Sequence, residues 1–346
     1  MTHDNRPLIA LTMGDPAGIG PEVLVRAASE SQAARQEVDV FAIAHPGLLM
    51  RTLESIEATL EVVSIGAPDE ARTLPAGVLG CLDVCSPDVL NIELGVVCAH
   101  AGQAAYDCLN AAARLALDGK IDGITTAPLN KAALHAAGHK YPGHTEILGE
   151  ICGVSNFGMM LFLPNSDIIR SPNGLGVVHT TLHTSIKSVP GLLSTSAIGE
   201  KIGLMHDFMK RLGCEVPRIG VCALNPHAGE DGLFGNEEAE LIRPAVQQAA
   251  DRDVMVDGPI PADALLRRAV HGEFDGVVAM YHDQGHIALK LIGFERAVNV
   301  TLGLPIVRTS PSHGTAFDIA GTGQASADGM LAAIQVAAQL ASTNID

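Results

Sequence analysis

The chain has 346 residues, enough for one large domain or two with a substantial core. Its 22 Lys and Arg against 39 Asp and Glu give a formal charge of −17, and no Lys/Arg cluster breaks that balance. Phosphate-backbone binding needs a basic face, so nucleic acid is not expected as a partner. Hydrophobic content of 47% with 36 Gly and 3% aromatic residues suits an α/β enzyme built from Ala, Val, Leu and Ile rather than a β-sandwich.

Residues 8–13 (LIALTM) read as a short apolar strand, ended by Gly14-Asp15-Pro16-Ala17-Gly18-Ile19-Gly20. Pro21 and Glu22 then open a helix, with Pro at its first position and an acid in its first turn. Further strands are expected at 38–44, 121–126, 157–162, 174–178, 218–224 and 254–257. Helical patterns cover 100–117, 130–137, 145–152, 185–212, 236–250 and 262–270. The stretch 276–290, GVVAMYHDQGHIALK, reads as a buried strand stopping abruptly at a dense set of titratable groups. Short strands at 297–300 and 306–307 and a helix over 325–340 complete the chain. Strands alternating with helices argue for a mainly parallel α/β sheet, whose sites lie beyond the carboxyl ends of the strands.

The seven cysteines form no CxxC pair and read as small buried hydrophobes of a reducing compartment. The N-terminal MTHDNRPLIALTMG lacks the basic start and apolar core of a signal peptide, and no apolar run reaches membrane-spanning length. A cytoplasmic location without membrane contact is the expectation.

Three histidines follow apolar strands in similar surroundings: His183, His227 and His282. Strand-end imidazoles from separate strands are a way for an α/β enzyme to gather metal ligands while leaving positions open for substrate. Asp283 and Glu230 are candidate partners for two of these rings, and His179 competes with His183 on the same strand. The turn Tyr141-Pro142-Gly143-His144-Thr145-Glu146 places hydrogen-bonding side chains and backbone N–H groups at a helix start, a ready anion site, although Thr145 alone reads equally as an N-cap. Residues 299–323 form a long Gly-rich stretch with Arg308 as an anion clamp and His313 as a flat ring for stacking. GxGxxG, Walker A, GxSxG and HExxH motifs are absent from the sequence.

Taken together, residues 12–22 (TMGDPAGIGPE), 126–134 (TAPLNKAAL), 143–146, 225–235 (NPHAGEDGLFG), 258–263 (GPIPAD), 281–285 and 299–321 resemble the 4-hydroxythreonine-4-phosphate dehydrogenase family nearly end to end. The resemblance implies a two-domain isocitrate/isopropylmalate dehydrogenase-like α/β fold with mainly parallel sheets and an active site in the interdomain cleft at a homodimer interface. Residues 1–128 plus 305–346 would form the domain carrying the NAD adenosine loop, and 129–304 the central domain with the metal ligands and dimer contacts. It implies one divalent metal per site, Zn2+ before Co2+, Mg2+ or Mn2+, held by His183, His227 and His282 drawn from both subunits. Substrate contacts fall on His144, Thr145, Lys290, Asn299 and Arg308, and the NAD site on His313, Gly314, Thr315, Ala316, Asp318 and Gly321. Lys290, with Asp263 or Asp283, is the expected proton-transfer group.

The expected reaction is NAD-dependent oxidation of a 4-phosphorylated 3-hydroxy acid to a β-keto acid that decarboxylates. In the biosynthetic branch an Asp precedes HGTA and an apolar residue follows YHDQG, whereas this chain has Ser312 and His286. His286 resembles the catabolic branch, which acts on 4-phospho-D-threonate or 4-phospho-D-erythronate instead of 4-phosphooxy-L-threonine. Oxidation of a carboxylated cis-dihydrodiol, or a metal-dependent hydrolase or lyase without NAD, are the alternatives.

Overall fold

Leu8–Thr12 (β1) is buried at every position, the mark of a central parallel strand covered on both faces. The computed structural model describes residues 6–33 and 37–343. Their contacts divide into two units, one formed by the chain up to Phe157 together with the chain from Leu304, the other by Gly158–Gly303.

In the first unit β1 leads into Gly20–Ala33 (α1), Asp39–Ala44 (β2), Pro46–Ser55 (α2), Glu61–Ser64 (β3) and Val78–Asp83 (β4). Ala99–Leu117 (α3), Gly123–Thr126 (β5), Lys131–Ala136 (α4) and His144–Cys152 (α5) follow. The second unit contains Gly158–Leu163 (β6), Leu175–His179 (β7), Val189–Leu192 (α6), Thr195–Arg211 (α7), Ile219–Cys222 (β8), Arg243–Ala250 (α8) and Val256–Ile260 (β9). It continues through Ala262–Val270 (α9), Gly276–Ala279 (β10), His282–Gly293 (α10) and Val298–Leu302 (β11). The chain then returns to the first unit with Arg308–Pro311 (β12) and Asp328–Ser342 (α11).

Strands of the first unit lie in the order β3-β4-β2-β1-β5-β12. Every neighbour in that series is parallel. The crossovers set α3 and α11 against the sheet, and α11 buries Met330, Ile334, Val336 and Leu340. Complete burial of an aliphatic side chain contributes about 1.5–3 kcal/mol, so this helix binds the end of the chain firmly to the unit. The second unit runs β11-β6-β7-β10-β8-β9. Strands β7, β10, β8 and β9 are parallel, while β6 pairs antiparallel with both β7 and β11. Leu161, Val177, Cys222, Leu265, Val277 and Leu289 meet in its core. No described helix is long and apolar enough to cross a membrane.

Several elements differ from the sequence reading. The long helix expected over 185–212 breaks, because Leu193 is extended and Ser194 caps α7, its hydroxyl accepting from Ala197 N at 3.1 Å. The strand expected at 306–307 sits at β12, two residues later. Segment 129–157, placed by sequence in the central domain, groups with the first unit, where α4 and α5 pack on α3.

Candidate active site

His282 is the first residue of α10, not a loop residue. Tyr281 is extended (φ −146°, ψ 163°), so β10 passes into the helix through only two residues, Met280 and Tyr281. The side chain of Gln284 ties this corner together. Its Oε1 accepts from Met280 N at 2.7 Å and its Nε2 donates to the Ala223 carbonyl beyond β8, also at 2.7 Å. Gly285 is required by packing, since a Cβ there would lie 2.6 Å from His179 Nε2 and from Val177 Cγ1. The loop after β7 is fixed to the same corner by Thr180 N on the Ala279 carbonyl (2.8 Å) and by Thr181 Oγ1 on the Met280 carbonyl (2.8 Å).

Those ties bring four imidazoles together. His183 lies 5.8 Å from His282 between ring centroids, and His286 stacks on His282 at 3.8 Å and 11°. His286 Nδ1 and His179 Nε2 share a hydrogen bond of 3.1 Å. Loss of water on burial lowers the pKa of His179 to about 3, with His286 adding to the effect. Burial, then the charges of His282 and Lys290, lowers His286 to about 4. Both rings are therefore neutral at physiological pH. The Asp283 carboxylate accepts from His282 Nδ1 at 2.6 Å, which leaves the Nε2 lone pair of His282 available to a ligand.

Lys290 stands two turns along α10, its Nζ 5.4 Å from the centre of the Phe294 ring. Asn299 is half-buried on β11 opposite Leu161. Asp263 is exposed in the first turn of α9, following the cis peptide Gly258-Pro259 by a few residues.

His227 is built differently. Residues 227–231 all have left-handed φ (54°, 56°, 83°, 43° and 51°), and only the middle one is glycine. An L-residue pays roughly 1–2 kcal/mol for that conformation, so the turn needs support. Buried Glu238 supplies it: Oε1 accepts from Leu224 N (2.9 Å) and Asn225 N (2.7 Å), and Oε2 accepts from Asn225 Nδ2 (3.1 Å). The His227 side chain that this turn presents is 74% exposed, with Glu230 Oε2 at 3.8 Å from its Nδ1. Exposed Leu233 and Phe234 lie beside it. Among the described residues no three His, Cys, Asp or Glu side chains form a metal-sized cluster. One chain thus pairs His183 with His282 and holds His227 apart.

In the first unit Arg308 is buried on β12, its Nη2 donating to Thr126 Oγ1 at 2.7 Å. Desolvation lowers its pKa to about 10, partly offset by the Glu146 charge, so the guanidinium stays cationic at neutral pH. His144 opens α5 and donates to the Ala127 carbonyl. Enclosure by protein, and then the charge of Arg308, push its pKa well below the imidazole norm, although part of the residue still touches solvent. The cap of α5 is Gly143, so Thr145 lies inside the first turn and is not the N-cap. A buried guanidinium beside a neutral imidazole and a helix start can hold an anion.

The loop after β12 is joined to the Gly-rich turn after β1. Ile19 N donates to the Thr315 carbonyl (3.0 Å), Ala325 N to Glu22 Oε1 (3.0 Å), and Arg26 Nη2 to the Gly323 carbonyl (2.7 Å). Ala316 adopts φ 39° and Gly321 φ 73°. A Cβ on Gly314 would meet nothing within 4 Å, whereas one on Gly18 would strike the Thr315 carbonyl at 2.6 Å. His313 Nδ1 and the Gly314 carbonyl are 3.0 Å apart, and Asp318 is exposed in the short 3-10 turn Phe317–Ile319. Asp15 is fully buried in the β1 turn, with Oδ1 accepting from Ala17 N (2.8 Å) and Oδ2 unpartnered. Burial raises its pKa to about 6.

Glu238, Gln284 and Asp15 were not singled out from sequence. The repeated acid of 237–240 and the Gln inside YHDQGH were signals that a polar side chain was needed there.

The donor set suits a divalent ion: two converging imidazoles, one oriented by a carboxylate, are nitrogen ligands of the kind such ions take. The loop with Gly314 open to space suits a flat cofactor moiety. Each unit thus carries its own set of groups suited to binding: strand-end imidazoles in the second and a buried guanidinium in the first.

Comparison with known proteins agrees. A family described as "Pyridoxal phosphate biosynthetic protein PdxA" matches residues 36–337, and the chain belongs to that family. A D-threonate 4-phosphate dehydrogenase of Salmonella typhimurium is 44% identical over 340 residues, covering 96% of this chain and 98% of the relative. A 4-hydroxythreonine-4-phosphate dehydrogenase of Trichlorobacter lovleyi is 42% identical over 341 residues, covering 98% of each. The crystal structure of a 4-hydroxythreonine-4-phosphate dehydrogenase from Klebsiella pneumoniae superposes with a TM-score of 0.85 at 42% identity, covering 97% of this chain and 99% of that one.

Proposed function

We propose that the protein oxidises a 4-phosphorylated 3-hydroxy acid with NAD, and that the β-keto acid formed loses CO2. The observation that carries this reading is the His183–His282 pair, 5.8 Å apart, with Asp283 fixing the His282 ring. Sequence relatives with dehydrogenase names for two such phosphorylated acids support it. Of the two, 4-phospho-D-threonate is preferred, because His286 occupies the position after YHDQG.

His183 and His282 of one chain, with His227 of a second copy, would hold a divalent ion, zinc before cobalt, magnesium or manganese. That ion would lower the pKa of the substrate hydroxyl and stabilise enolate charge as CO2 departs. The exposed His227, flanked by Leu233 and Phe234, and the exposed Ile287 and Leu291 on α10 with Phe294 just past its end support a homodimer in which ligands are exchanged. Arg308 with His144 and Thr145 would hold the phosphate or carboxylate, drawing the anion to local cations of an acidic protein. Lys290, assisted by Asp283 or Asp263, would carry the proton from the hydroxyl and return one to the enolate carbon, with Asn299 orienting the substrate. His313, Gly314, Thr315, Ala316, Asp318 and Gly321 would hold the NAD adenosine.

The test is NADH absorbance from purified protein given a divalent metal, NAD and 4-phospho-D-threonate. A rise is expected, larger than with 4-phosphooxy-L-threonine. No NADH from either acid or from 4-phospho-D-erythronate would refute the proposal.

A further inference from the structure

Three of the seven cysteines lie together in the first unit, and none of them has a role in the reading above. Cys81 is on β4, Cys85 in the turn that follows, and Cys108 on α3. Cys85 Sγ and Cys108 Sγ are 3.5 Å apart. Cys81 donates to the Ala44 carbonyl at 3.5 Å and so is turned toward β2. The Cys85 turn is held in place by its own backbone N–H, which donates to Asp83 Oδ1 at 3.2 Å.

We propose that Cys85 and Cys108 form an oxidisable dithiol that closes to an intramolecular disulfide when the chain meets a hydroperoxide. The two sulfurs need to approach by about 1.5 Å to reach a disulfide bond length, a movement within reach of a turn residue facing a helix. Access is unequal. Cys85 is half-buried and open to a small oxidant, whereas Cys108 is wholly buried. Reactivity is unequal in the same sense. Burial pushes the Cys81 thiol up to about 12, and the Cys85 contact with burial raises Cys108 well above the ordinary thiol value. First attack therefore falls to Cys85.

The Cys85 thiolate attacks the terminal peroxide oxygen, the O–O bond breaks, and an alcohol or water leaves after protonation. This gives a Cys85 sulfenic acid. Cys108 sulfur then displaces hydroxide from the Cys85 sulfur; its proton leaves with that hydroxide as water, and the S–S bond forms. Each sulfur has lost one electron, and the peroxide has accepted two. The bond would staple the turn after β4 to α3, the helix on which α4 and α5 pack.

The experiment treats the reduced full-length protein with near-stoichiometric hydrogen peroxide, blocks remaining thiols under denaturing conditions, and maps unreduced peptides by mass. The expected result is a peptide joining positions 85 and 108, about 2 Da lighter than the two thiol peptides together. Titratable thiols should fall from seven to five. Cys81→Ser should keep the bridge, and Cys85→Ser should lose it. The proposal is overturned if Cys108 remains alkylatable while Cys85 becomes sulfinic, or if Cys85 pairs with Cys81 or with another molecule. The wild-type peptide map alone separates these outcomes, so the test stands even where a variant fails to fold.

Discussion

Replacing Arg308 by lysine keeps one positive charge but changes two physical quantities at once. The guanidinium is buried and donates to Thr126 Oγ1 at 2.7 Å, and burial has already brought its pKa from 12.5 to about 10. A lysine ordinarily titrates near ~10.4, so the same desolvation would bring it to about 8. Loss of the planar fork also removes charge-assisted hydrogen bonds worth roughly 1.5–3 kcal/mol, or about 10- to 150-fold in an equilibrium constant. Arg308→Lys should therefore lower kcat/KM for 4-phospho-D-threonate by about that factor at pH 7. Above about pH 8 it should fall a further tenfold per pH unit, whereas the wild type keeps its cation to about pH 10. The assay is NADH formation at subsaturating substrate across pH 6.5–9.5 (roughly), with thermal melts as a control for folding. An unchanged kcat/KM with the same pH profile as wild type would refute an anion-holding role for Arg308.

Other consequences are equally open to measurement. His227→Ala and His282→Ala proteins should each be inactive, yet unfolding and refolding them together should restore about a quarter of wild-type activity, since half the dimers are mixed and each has one intact site; no recovery would contradict ligand exchange between copies. Asp283→Ala should weaken zinc binding about 10- to 100-fold in a chelator competition, because the 2.6 Å bond that orients His282 is lost; unchanged affinity would remove Asp283 from the site. Asp15 binds its proton more tightly folded than unfolded, from 3.8 to about 6, so the stability it contributes is present below about pH 4 and lost as pH rises through 6. Asp15→Asn keeps the Ala17 contact and should remove a fall on the order of 3 kcal/mol over that range, read by denaturant melts at pH 4 and 7; an identical fall in the variant would contradict the raised pKa.

Much of this was legible in the residues. The apolar run before His282 announced a buried strand, and Arg308 stood out as one of few cations next to a Gly-rich stretch. What could not be read was set by tertiary contacts. Nothing local distinguishes His179 from His183, yet the sheet buries the first against His286 and leaves the second exposed beside His282. The left-handed turn at 227–231 contains one glycine, so its shape follows from Glu238, which reaches back from about ten residues away in sequence. Strand β6 is as apolar as its parallel neighbours, and its antiparallel pairing depends on connection rather than composition. The three glycines of 313–323 marked an irregular stretch, but its attachment to the β1 turn through Thr315, Gly323 and Glu22 appears only in three dimensions.

The central claim is that oxidation and loss of CO2 are two stages of one turnover. With 4-phospho-D-threonate limiting and NAD in excess, NADH and CO2 should appear in equal amounts, and a chelator should abolish both until metal is restored. CO2 released without NADH, or NADH accumulating with no CO2, would contradict that account.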